Sequence, residues 1–571
     1  MSARLSRHAL GALTVPLALT FLGAASGPAP AAAAKEKQPG RPNVVFVLAD
    51  DLGWADLSTG RTNQGNGNDF IQTPAIDRLA REGMSFDNGY ACVMCAPSRS
   101  ALLTGLYAQR PDNNIYLGAE LNSGGDDTLL VGPPQGLADG NPVLPPHAVT
   151  VAETLQSAGY RTGYIGKFHV TKNAAEIVSA HGFDENFGGS ESGNAKVYHA
   201  ENGKFDASIG PALNAFAAPY TQAYVDQNLK PYAHGVSGKA LDALVGTQKH
   251  VTDALSDAAV NFIDRNSGRP FFTWLSQYAV HSPVGDAQAR SDLLAKYKAA
   301  TPGKDPAKPS YAALVEGLDQ SVARVIDHLD RTPDPRNPGH VLADNTLVVF
   351  SSDNGGRTDL GGYNGPLKGQ KGELDEGGVR VPWIVWSKNK RLVRGGTINS
   401  SPINGTDLYP TLAAYAGAKL PSGVPFDGTN LRPAFTTGAP VVRPRFAHLP
   451  GYKNGGARDQ RPETTVRDGR WKLGYTYEDQ RWHLYDLGND IGETNDLASR
   501  RPDVVARLGT EIVRWLDRTD APLATLRAGR PPLELQVRGT TYSAKTVRHY
   551  ARSTTLRVQP GDEVPLVLPN S

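Results

Sequence analysis

The chain has 571 residues, with 59 Lys and Arg against 57 Asp and Glu, and a formal net charge of +2. Its length allows a large core and predicts one large domain with a smaller one. The nearly balanced charge, with no basic stripe, argues against nucleic acid as a partner. Because there are only two cysteines, disulfides are excluded as the framework of the fold.

Residues 1–34 have the pattern of a secretory signal peptide. Arg4 and Arg7 precede an almost wholly apolar run at 10–22, and three alanines at 32–34 offer a cleavage site. The segment holds two arginines and no acids, so its removal leaves a net charge of 2 − 2 = 0. An uncleaved membrane anchor is the alternative. No later segment approaches about 18 apolar residues, and we therefore predict a secreted protein, of bacterial type by composition, with no membrane contact after cleavage.

Four short apolar runs predict buried strands, and a polar cluster follows each of them. The runs cover residues 43–48, 161–165, 270–275 and 346–350. The clusters that follow are, in the same order, Asp50 with Asp51, Lys167 with His169, His281, and Asp353 with Asn354. Ligands of open α/β sheets bind beyond the carboxyl ends of the strands. The pattern therefore predicts one shared site that contains all four clusters.

Helices are predicted between these strands. Residues 73–83 and 311–329 carry apolar side chains at helical spacing. Thr150 and Glu153 form a capping-box pattern that opens a helix ending at Gly159. Because strands and helices alternate, the sequence predicts an α/β sandwich.

Cys95 begins the run Cys95-Ala96-Pro97-Ser98-Arg99. Pro97 fits the first turn of a helix, which places Cys95 just ahead of a helix N-terminus, where free N–H groups favour anions. Arg99 adds a planar guanidinium suited to tetrahedral oxyanions. These residues indicate an anion site beside a nucleophile. Without this context, Cys95 would be interpreted as a buried small hydrophobe, or with Cys92 as a redox dithiol or half of a zinc site.

Three carboxylates and one amide follow the first and last of the four strands. Asp50, Asp51, Asp353 and Asn354 offer hard oxygen ligands, which suit Ca²⁺ or Mg²⁺ and bind zinc poorly. Either pair by itself could simply form a turn. Together with Cys95, they predict a site for one divalent cation.

Two stretches, 112–147 and 193–247, show little periodicity and are predicted as long irregular inserts. With the strands and helices around them they belong to a predicted large domain at 35–440. Such inserts often form binding walls, so we expect them to contribute to substrate specificity.

The pattern changes after residue 440. A hairpin with its turn at Asp468-Gly469 is predicted at 466–473, followed by a strand at 482–487 and a helix at 502–516. These elements predict a smaller α+β domain at 441–520, built on a short antiparallel sheet. An extension at 521–571 follows it.

The segment from Cys95 to Gly105 resembles the signature of type I sulfatases. A second match runs from Gly159 to His169, in which Phe168 stands where the family has Trp. The other matches are Asp50-Asp51, Ala279-Val280-His281-Ser282-Pro283, Asp353-Asn354-Gly355, and Lys371 ahead of Glu376-Gly377-Gly378. The resemblance spans about residues 41–440. It implies an alkaline-phosphatase-like fold, with a large mixed, mostly parallel sheet sandwiched by helices.

In that family a partner, the formylglycine-generating enzyme, oxidises the cysteine to formylglycine. The resemblance implies the same conversion of Cys95. The catalytic residues that it implies are Cys95, Arg99, Lys167, His169, His281, Lys371 and Asp353. The ligands that it implies for one divalent cation, usually Ca²⁺, are Asp50, Asp51, Asp353, Asn354 and Cys95.

A mechanism follows from these implied roles. The hydrated aldehyde attacks sulfur while Asp353 accepts the proton, and His281, with Lys371, protonates the leaving alcohol. His169 then deprotonates the second hydroxyl of the resulting sulfate hemiacetal, which expels sulfate.

The function predicted is a secreted sulfatase that hydrolyses a sulfated carbohydrate or an aryl sulfate to an alcohol and inorganic sulfate. Two alternatives stay open. A phosphonate or phosphate monoester hydrolase would use the same fold, and a non-catalytic binding protein would keep the pocket with Cys95 unconverted.

Overall fold

The computed structural model describes residues 40–115, 127–136, 142–305, 307–453 and 460–568. The predicted signal peptide, and the parts of the 112–147 insert at 116–126 and 137–141, lie outside the described residues.

The strands, in chain order, are β1 Asn43–Ala49, β2 Met84–Tyr90, β3 Leu130–Val131, β4 Arg161–Gly166, β5 Glu185–Phe187, β6 Phe271–Ser276, β7 Thr346–Ser352, β8 Arg380–Trp386, β9 Thr397–Asn399, β10 Ile403–Asn404, β11 Arg445–Leu449, β12 Glu463–Asp468, β13 Trp471–Thr476, β14 Arg481–Asp486, β15 Thr525–Leu526, β16 Leu533–Ser543, β17 Thr546–Val558 and β18 Leu566–Val567.

The α-helices are α1 Pro74–Glu82, α2 Cys95–Thr104, α3 Val151–Ser157, α4 Glu176–Ser179, α5 Gln222–Asn228, α6 Gly238–Asp242, α7 Val251–Asn266, α8 Ser291–Ala299, α9 Pro309–Arg331, α10 Glu376–Val379, α11 Leu408–Ala416, α12 Arg432–Thr437 and α13 Pro502–Thr519. Short 3₁₀ helices cover Pro211–Phe216, Lys230–Tyr232, Leu342–Asn345, Thr358–Leu360 and Gly405–Asp407.

Nine strands form the central sheet, in the order β10-β2-β8-β7-β1-β6-β4-β5, with β9 also paired to β2. Strands β7, β1, β6 and β4 are adjacent in that order and run parallel to one another. Strand β8 runs antiparallel to both β2 and β7. The four strands predicted from apolar runs are thus confirmed, as is a mixed, mostly parallel sheet.

Strand β1 shows why this sheet is buried on both faces. Val45 and Val47 pack into one apolar layer with α1, α7 and α9. Phe46 and Leu48 pack into the opposite layer with α3 and α11. Since successive side chains of a strand point to opposite faces, a continuous apolar run needs helices on both sides, as the α/β sandwich provides.

Helix boundaries follow the local sequence. The Oγ of Thr150 accepts a hydrogen bond from the N–H of Glu153, and the Glu153 carboxylate accepts one in return from the N–H of Thr150 at 2.6 Å. The predicted capping box is therefore present. Pro74 opens α1, and Gly83 follows its last residue.

Beyond residue 440, β11, β12, β13 and β14 form a four-stranded antiparallel sheet, and α13 packs against it. The predicted hairpin is present, but its turn was predicted one residue early. Asp468 pairs with Trp471, so the two-residue loop is Gly469-Arg470. Gly469 has φ 58°, the left-handed conformation that the first position of such a turn requires.

The tail has structure that the sequence did not predict. Strands β16 and β17 form a long hairpin, and β18 pairs with β16. Strand β15 pairs with β3, which lies in the 112–147 insert. The insert at 193–247 holds short helices instead of being wholly irregular. None of the helices in the described ranges has the length and apolar character needed to cross a membrane.

Candidate active site

The parallel strands bring four polar clusters to one edge of the central sheet. The last residues of β1 and β7, Ala49 and Ser352, are partners in register. Gly166 at the end of β4 is likewise level with Ser276 at the end of β6. The residues that follow these strands therefore emerge at the same height, which explains why segments more than 300 residues apart in sequence meet there.

Helix α2 brings Cys95 to this edge. Cys95 is the first residue of the helix, and Met94 is its N-cap; the prediction that Cys95 lies just ahead of the helix is wrong by one residue. Its Sγ lies 3.4 Å from Oδ1 of Asp50 and 3.9 Å from Oδ1 of Asp51. The thiol is 2% exposed, at the positive end of the helix.

Each of the three carboxylates at the site lies closest to a different cation. Lys167 Nζ lies 2.6 Å from Asp50 Oδ2. Lys371 Nζ lies 2.6 Å from Asp51 Oδ1.

The third pair joins Arg99 to Asp353 through Nη2 and Oδ2, 2.8 Å apart. Arg99 also donates to the hydroxyl of Ser276 at 2.6 Å and to the backbone carbonyl of Lys167. The guanidinium is wholly buried. It therefore holds the ends of β4 and β6 together with the Asp353 carboxylate.

These charges shift the acidities of the site in opposite directions. Burial raises the pKa of Asp50 and of Asp353 above the usual range. Burial opposes ionisation of Asp51 as well, but the cations of Lys371 and His281 outweigh it and hold its pKa far below the usual range. The thiol pKa of Cys95 is also well lowered, because Lys167 and Lys371 outweigh both burial and the Asp353 charge.

Two histidines border the thiol. The Nε2 of His281 lies 3.7 Å from Asp51 Oδ2, and its Nδ1 contacts the carbonyl of Ser282 at 2.8 Å. Burial and Lys371 lower the pKa of His281, but Asp51 and Asp50 raise it above the usual value. Burial lowers the pKa of His169 to about 4 in spite of a hydrogen bond with Cys95. The pKa values of the two imidazoles are therefore shifted in opposite directions, that of His169 toward the neutral ring and that of His281 toward the protonated one.

Gly193 makes room for one of these rings. A Cβ at this position would lie 2.6 Å from Nε2 of His169, so any larger residue would displace the imidazole. The insert at 193–247 thus begins in contact with the site. The sequence predicted that this insert contributes to substrate specificity, but it did not identify Gly193 as the residue in contact.

The oxygen atoms of the site fit a divalent cation. Asp51 Oδ2 and Asn354 Oδ1 are buried and accept no hydrogen bond. Ligand atoms of Asp50, Asp51, Cys95 and His281 all lie within 4.8 Å of one another. Buried oxygens without donors cost free energy that a cation would offset. This group of four contains His281. The ligand set predicted from sequence has Asp353 and Asn354 in its place, together with Asp50, Asp51 and Cys95.

Some neighbours of the site were not anticipated. Ser276, which accepts from Arg99, could have been found because it directly follows the strand predicted at 270–275. Lys453 donates to the backbone carbonyl of Lys371 at 3.3 Å, but no motif surrounds it.

Comparisons with known proteins identify one family. A family model described as Sulfatase matches residues 42–418. A protein named Sulfatase from Formosa agariphila is 36% identical over 512 residues, covering 84% of this chain and 90% of that protein. Steryl-sulfatase of Mus musculus is 31% identical over 473 residues, covering 72% and 66%. The solved structure of Ps i-CgsB in complex with k-i-k-neocarrahexaose is 29% identical with a TM-score of 0.61, covering 83% of this chain and 92% of that one.

Proposed function

Since the chain belongs to the sulfatase family and is therefore a sulfuric ester hydrolase, we propose that it is a secreted, formylglycine-dependent sulfatase acting on sulfated carbohydrates. One observation carries the proposal. Three cations, Lys167, Lys371 and Arg99, and the N-terminus of α2 converge on the buried Cys95. A sulfate monoester needs this concentration of positive charge around its oxygens.

Cys95 is the proposed site of the modification. Its Sγ marks the position of the formylglycine oxygens, and the hydrated aldehyde would supply a nucleophilic hydroxyl together with a second hydroxyl for release of sulfate. The buried thiol lies beside Asp50 and Asp51. Asp353, whose pKa is raised by burial, is the proposed proton acceptor.

His281 and His169 are proposed to act at opposite ends of the reaction. The raised pKa of His281 suits a general acid that protonates the leaving alcohol, with Lys371 beside it. The lowered pKa of His169, about 4, keeps its imidazole neutral at physiological pH and suits a general base. Paired groups whose environments push their pKa values apart are typical of acid and base assignments.

The cation is proposed to be Ca²⁺, held by Asp50, Asp51, Asp353, Asn354 and the modified residue 95. When bound it would stabilise negative charge on the sulfate and favour an ionised hydroxyl. The unpartnered oxygens of Asp51 and Asn354 support this assignment. His281, which the geometric grouping includes, is proposed as a proton donor instead, because its pKa favours the charged ring.

The substrate class rests on two supports. Ps i-CgsB, 29% identical, was solved in complex with k-i-k-neocarrahexaose, and the signal-peptide pattern at 1–34 supports a location outside the cell, where sulfated glycans are found. We therefore propose a sulfated carbohydrate as substrate, and an extracellular location after cleavage.

The test is mass spectrometry of the peptide containing Cys95, from protein secreted by a host that has the modifying enzyme. Conversion to the aldehyde lowers the mass by about 18 Da and its hydrate restores it, so an aldehyde-reactive probe is used in parallel. We expect a probe-labelled peptide and release of sulfate from sulfated oligosaccharides. An unmodified Cys95 in fully active protein would refute the formylglycine mechanism.

Two variants accompany this measurement. We expect Cys95→Ala to lose at least about 10³-fold in activity, as removal of a nucleophile does, with the fold retained. Cys92→Ala is the matched control, because the backbone N–H and the thiol of Cys92 both contact the Ser98 hydroxyl and neither is paired with a carboxylate or cation of the site, and it should keep activity within about twofold. Assays of an aryl sulfate and an aryl phosphonate in parallel separate this function from that of a phosphonate hydrolase.

A further inference from the structure

Lys453 is a buried cation that the roles assigned above do not use. It lies between β11 and β12 and is 7% exposed. Its ammonium donates a hydrogen bond to the backbone carbonyl of Lys371 at 3.3 Å. The four-stranded antiparallel sheet thus places a lysine directly on the loop that carries Lys371.

The loop beneath Lys453 is fixed to both sides of the site. The N–H of Gly372 donates to the carbonyl of Val93, two residues before Cys95, at 2.9 Å, and the N–H of Lys371 donates to the carbonyl of Gly356 at 3.3 Å. Gly372 has φ 98°, and a Cβ there would lie 2.7 Å from Cδ and 2.9 Å from Nζ of Lys453. Glycine at 372 is therefore required for Lys453 to reach this position.

The ammonium of Lys453 has no carboxylate partner among the described residues. The Asp51 carboxylate nearby is paired with Lys371 at 2.6 Å. Asp359 forms a bidentate ion pair with Arg357, in which Nε and Nη2 of the arginine lie 2.7 and 2.5 Å from the two carboxylate oxygens. Burial, followed by repulsion from Lys371 and Arg357, lowers the pKa of Lys453 to about 8. A buried charge without a counter-charge costs free energy, and an anionic ligand would offset that cost.

We propose that Lys453 binds a second anionic group of the substrate, a carboxylate or a further sulfate, next to the sulfate ester that is cleaved. This inference rests on the proposed function and narrows its substrate class to glycans with at least two negative charges close together. The site would then prefer such substrates to sulfate esters that carry a single charge. Arg357, whose Nε and Nη2 pair with Asp359, adds positive charge to the surroundings.

The test compares matched probes. 4-Nitrophenyl sulfate has one anionic group, and derivatives with an added carboxylate or an added sulfate on the ring, at the ortho and meta positions, have two. We expect Lys453→Met to lower kcat/KM by about tenfold or more for at least one doubly charged probe, through KM, because one charge-assisted contact is lost. For 4-nitrophenyl sulfate the change should stay within about twofold. The carboxylate and sulfate series identify which anion the site takes.

Two controls make the result specific. Lys453→Arg keeps the charge and should retain most of the preference, whereas Lys545→Met removes an exposed lysine at the tip of the β16–β17 hairpin and should change nothing. Thermal unfolding should show no loss of stability in Lys453→Met, since an unpaired buried charge is removed. Equal loss for singly and doubly charged probes would overturn the proposal and assign Lys453 to the scissile sulfate or to positioning Lys371. No loss for any probe would overturn it as well.

Calorimetric binding of the same probes separates this inference from the proposed function, because binding needs no turnover. Wild-type protein that hydrolyses none of the probes, yet binds a doubly charged one about tenfold more tightly than Lys453→Met does, would refute the sulfatase mechanism and keep the anion site. Equal affinities in the two proteins would refute the anion site.

Discussion

Two buried ionic clusters lie close together in this protein and differ in one respect. At the interface with the four-stranded sheet, Lys472 lies 3.2 Å from Glu376 and 2.8 Å from Glu493, and Glu376 also accepts from the hydroxyl of Tyr90 at 2.6 Å. Every side-chain polar atom of Glu376, Lys472 and Glu493 has a partner. At the candidate active site, one oxygen of Asp51 and one of Asn354 accept no hydrogen bond, although His281 Nε2 lies 3.7 Å from that Asp51 oxygen.

The difference distinguishes a cluster that stabilises the fold from one that can bind a ligand. A saturated cluster has already offset the cost of burying its charges and has nothing left to offer a ligand. An unsaturated cluster at the same depth keeps some of that cost, and a cation or an anionic substrate would offset it. We therefore expect variants of the first cluster to change stability and variants of the second to change activity.

The largest effect should come from Asp51→Asn. We expect a loss of about 10³-fold in kcat/KM, because the charge that would hold the cation is removed. The free energy of unfolding should fall as well, because the lowered pKa of Asp51 means that the folded state favours its charge and Lys371 loses its partner, but the loss of activity should remain after correction for the folded fraction. Sulfate release and urea unfolding measure the two quantities. A large loss of stability with normal activity would reverse the comparison.

Lys472→Met should have the opposite profile. Removing one member of a saturated buried cluster leaves uncompensated carboxylates and costs about 3–5 kcal/mol of stability. At temperatures where the variant stays folded, kcat/KM should remain within a few-fold of wild type. The double variant Lys472→Met with Glu493→Gln should recover part of the stability, and a double-mutant cycle gives the coupling. Strict additivity would show that the cluster does not act as a unit.

Asp56 is a third buried acidic group, and its hydrogen bonds are complete like those of the Lys472 cluster. Its carboxyl accepts from the N–H of Gly53 and the hydroxyl of Tyr311, both at 2.6 Å, and from the N–H of Tyr363 at 2.7 Å. Burial raises its pKa to about 6. Between pH 4 and 6 the folded state keeps a proton that the unfolded state has lost, so this contribution to stability falls as pH rises.

The stability difference between wild type and Asp56→Asn should therefore shrink as pH rises through this window, by up to about 3 kcal/mol. Urea unfolding at pH 4, 5, 6 and 7 measures it. A difference that stays constant, or grows with pH, would contradict the raised pKa.

The smallest effect is expected from added Ca²⁺. Ca²⁺ at a concentration of 100 times its dissociation constant stabilises the folded state by about 2.7 kcal/mol. The measurement removes the ion with a chelator, adds Ca²⁺ back and records the increase in melting temperature. Asp51→Asn should show no such increase, whereas Lys472→Met should show the same increase as wild type. Mg²⁺ in place of Ca²⁺ tests the identity of the ion.

The central sheet could be predicted from sequence because its information is local. The run at β1 is apolar on both faces, and the Thr150–Glu153 capping box identifies the start of α3 without tertiary contacts. The clusters after these strands were also visible, since carboxylates and histidines at strand ends are informative residue types. What parallel strands add is register, which brings these clusters to one height.

The rest depends on pairings between distant segments. Strand β3 has two residues and is defined only by its pairing with β15, about 395 positions later. Lys453 lies in a segment with no periodicity, and its burial depends on a glycine at 372. The turn was predicted at Asp468-Gly469, one residue before its position at Gly469-Arg470. Asp-Gly is a strong hairpin signal, but it does not show which of its residues starts the loop.

The topology of the central sheet also determines how long β1 stays unpaired while the chain is being synthesised. Strand β1 leaves the ribosome early, yet its two neighbours, β6 and β7, begin at residues 271 and 346. At about 5–20 residues per second, β1 waits tens of seconds for its first partner. Throughout that interval its apolar run needs protection from aggregation, and Cys95, almost inaccessible in the finished fold, is open to any enzyme that meets the nascent chain.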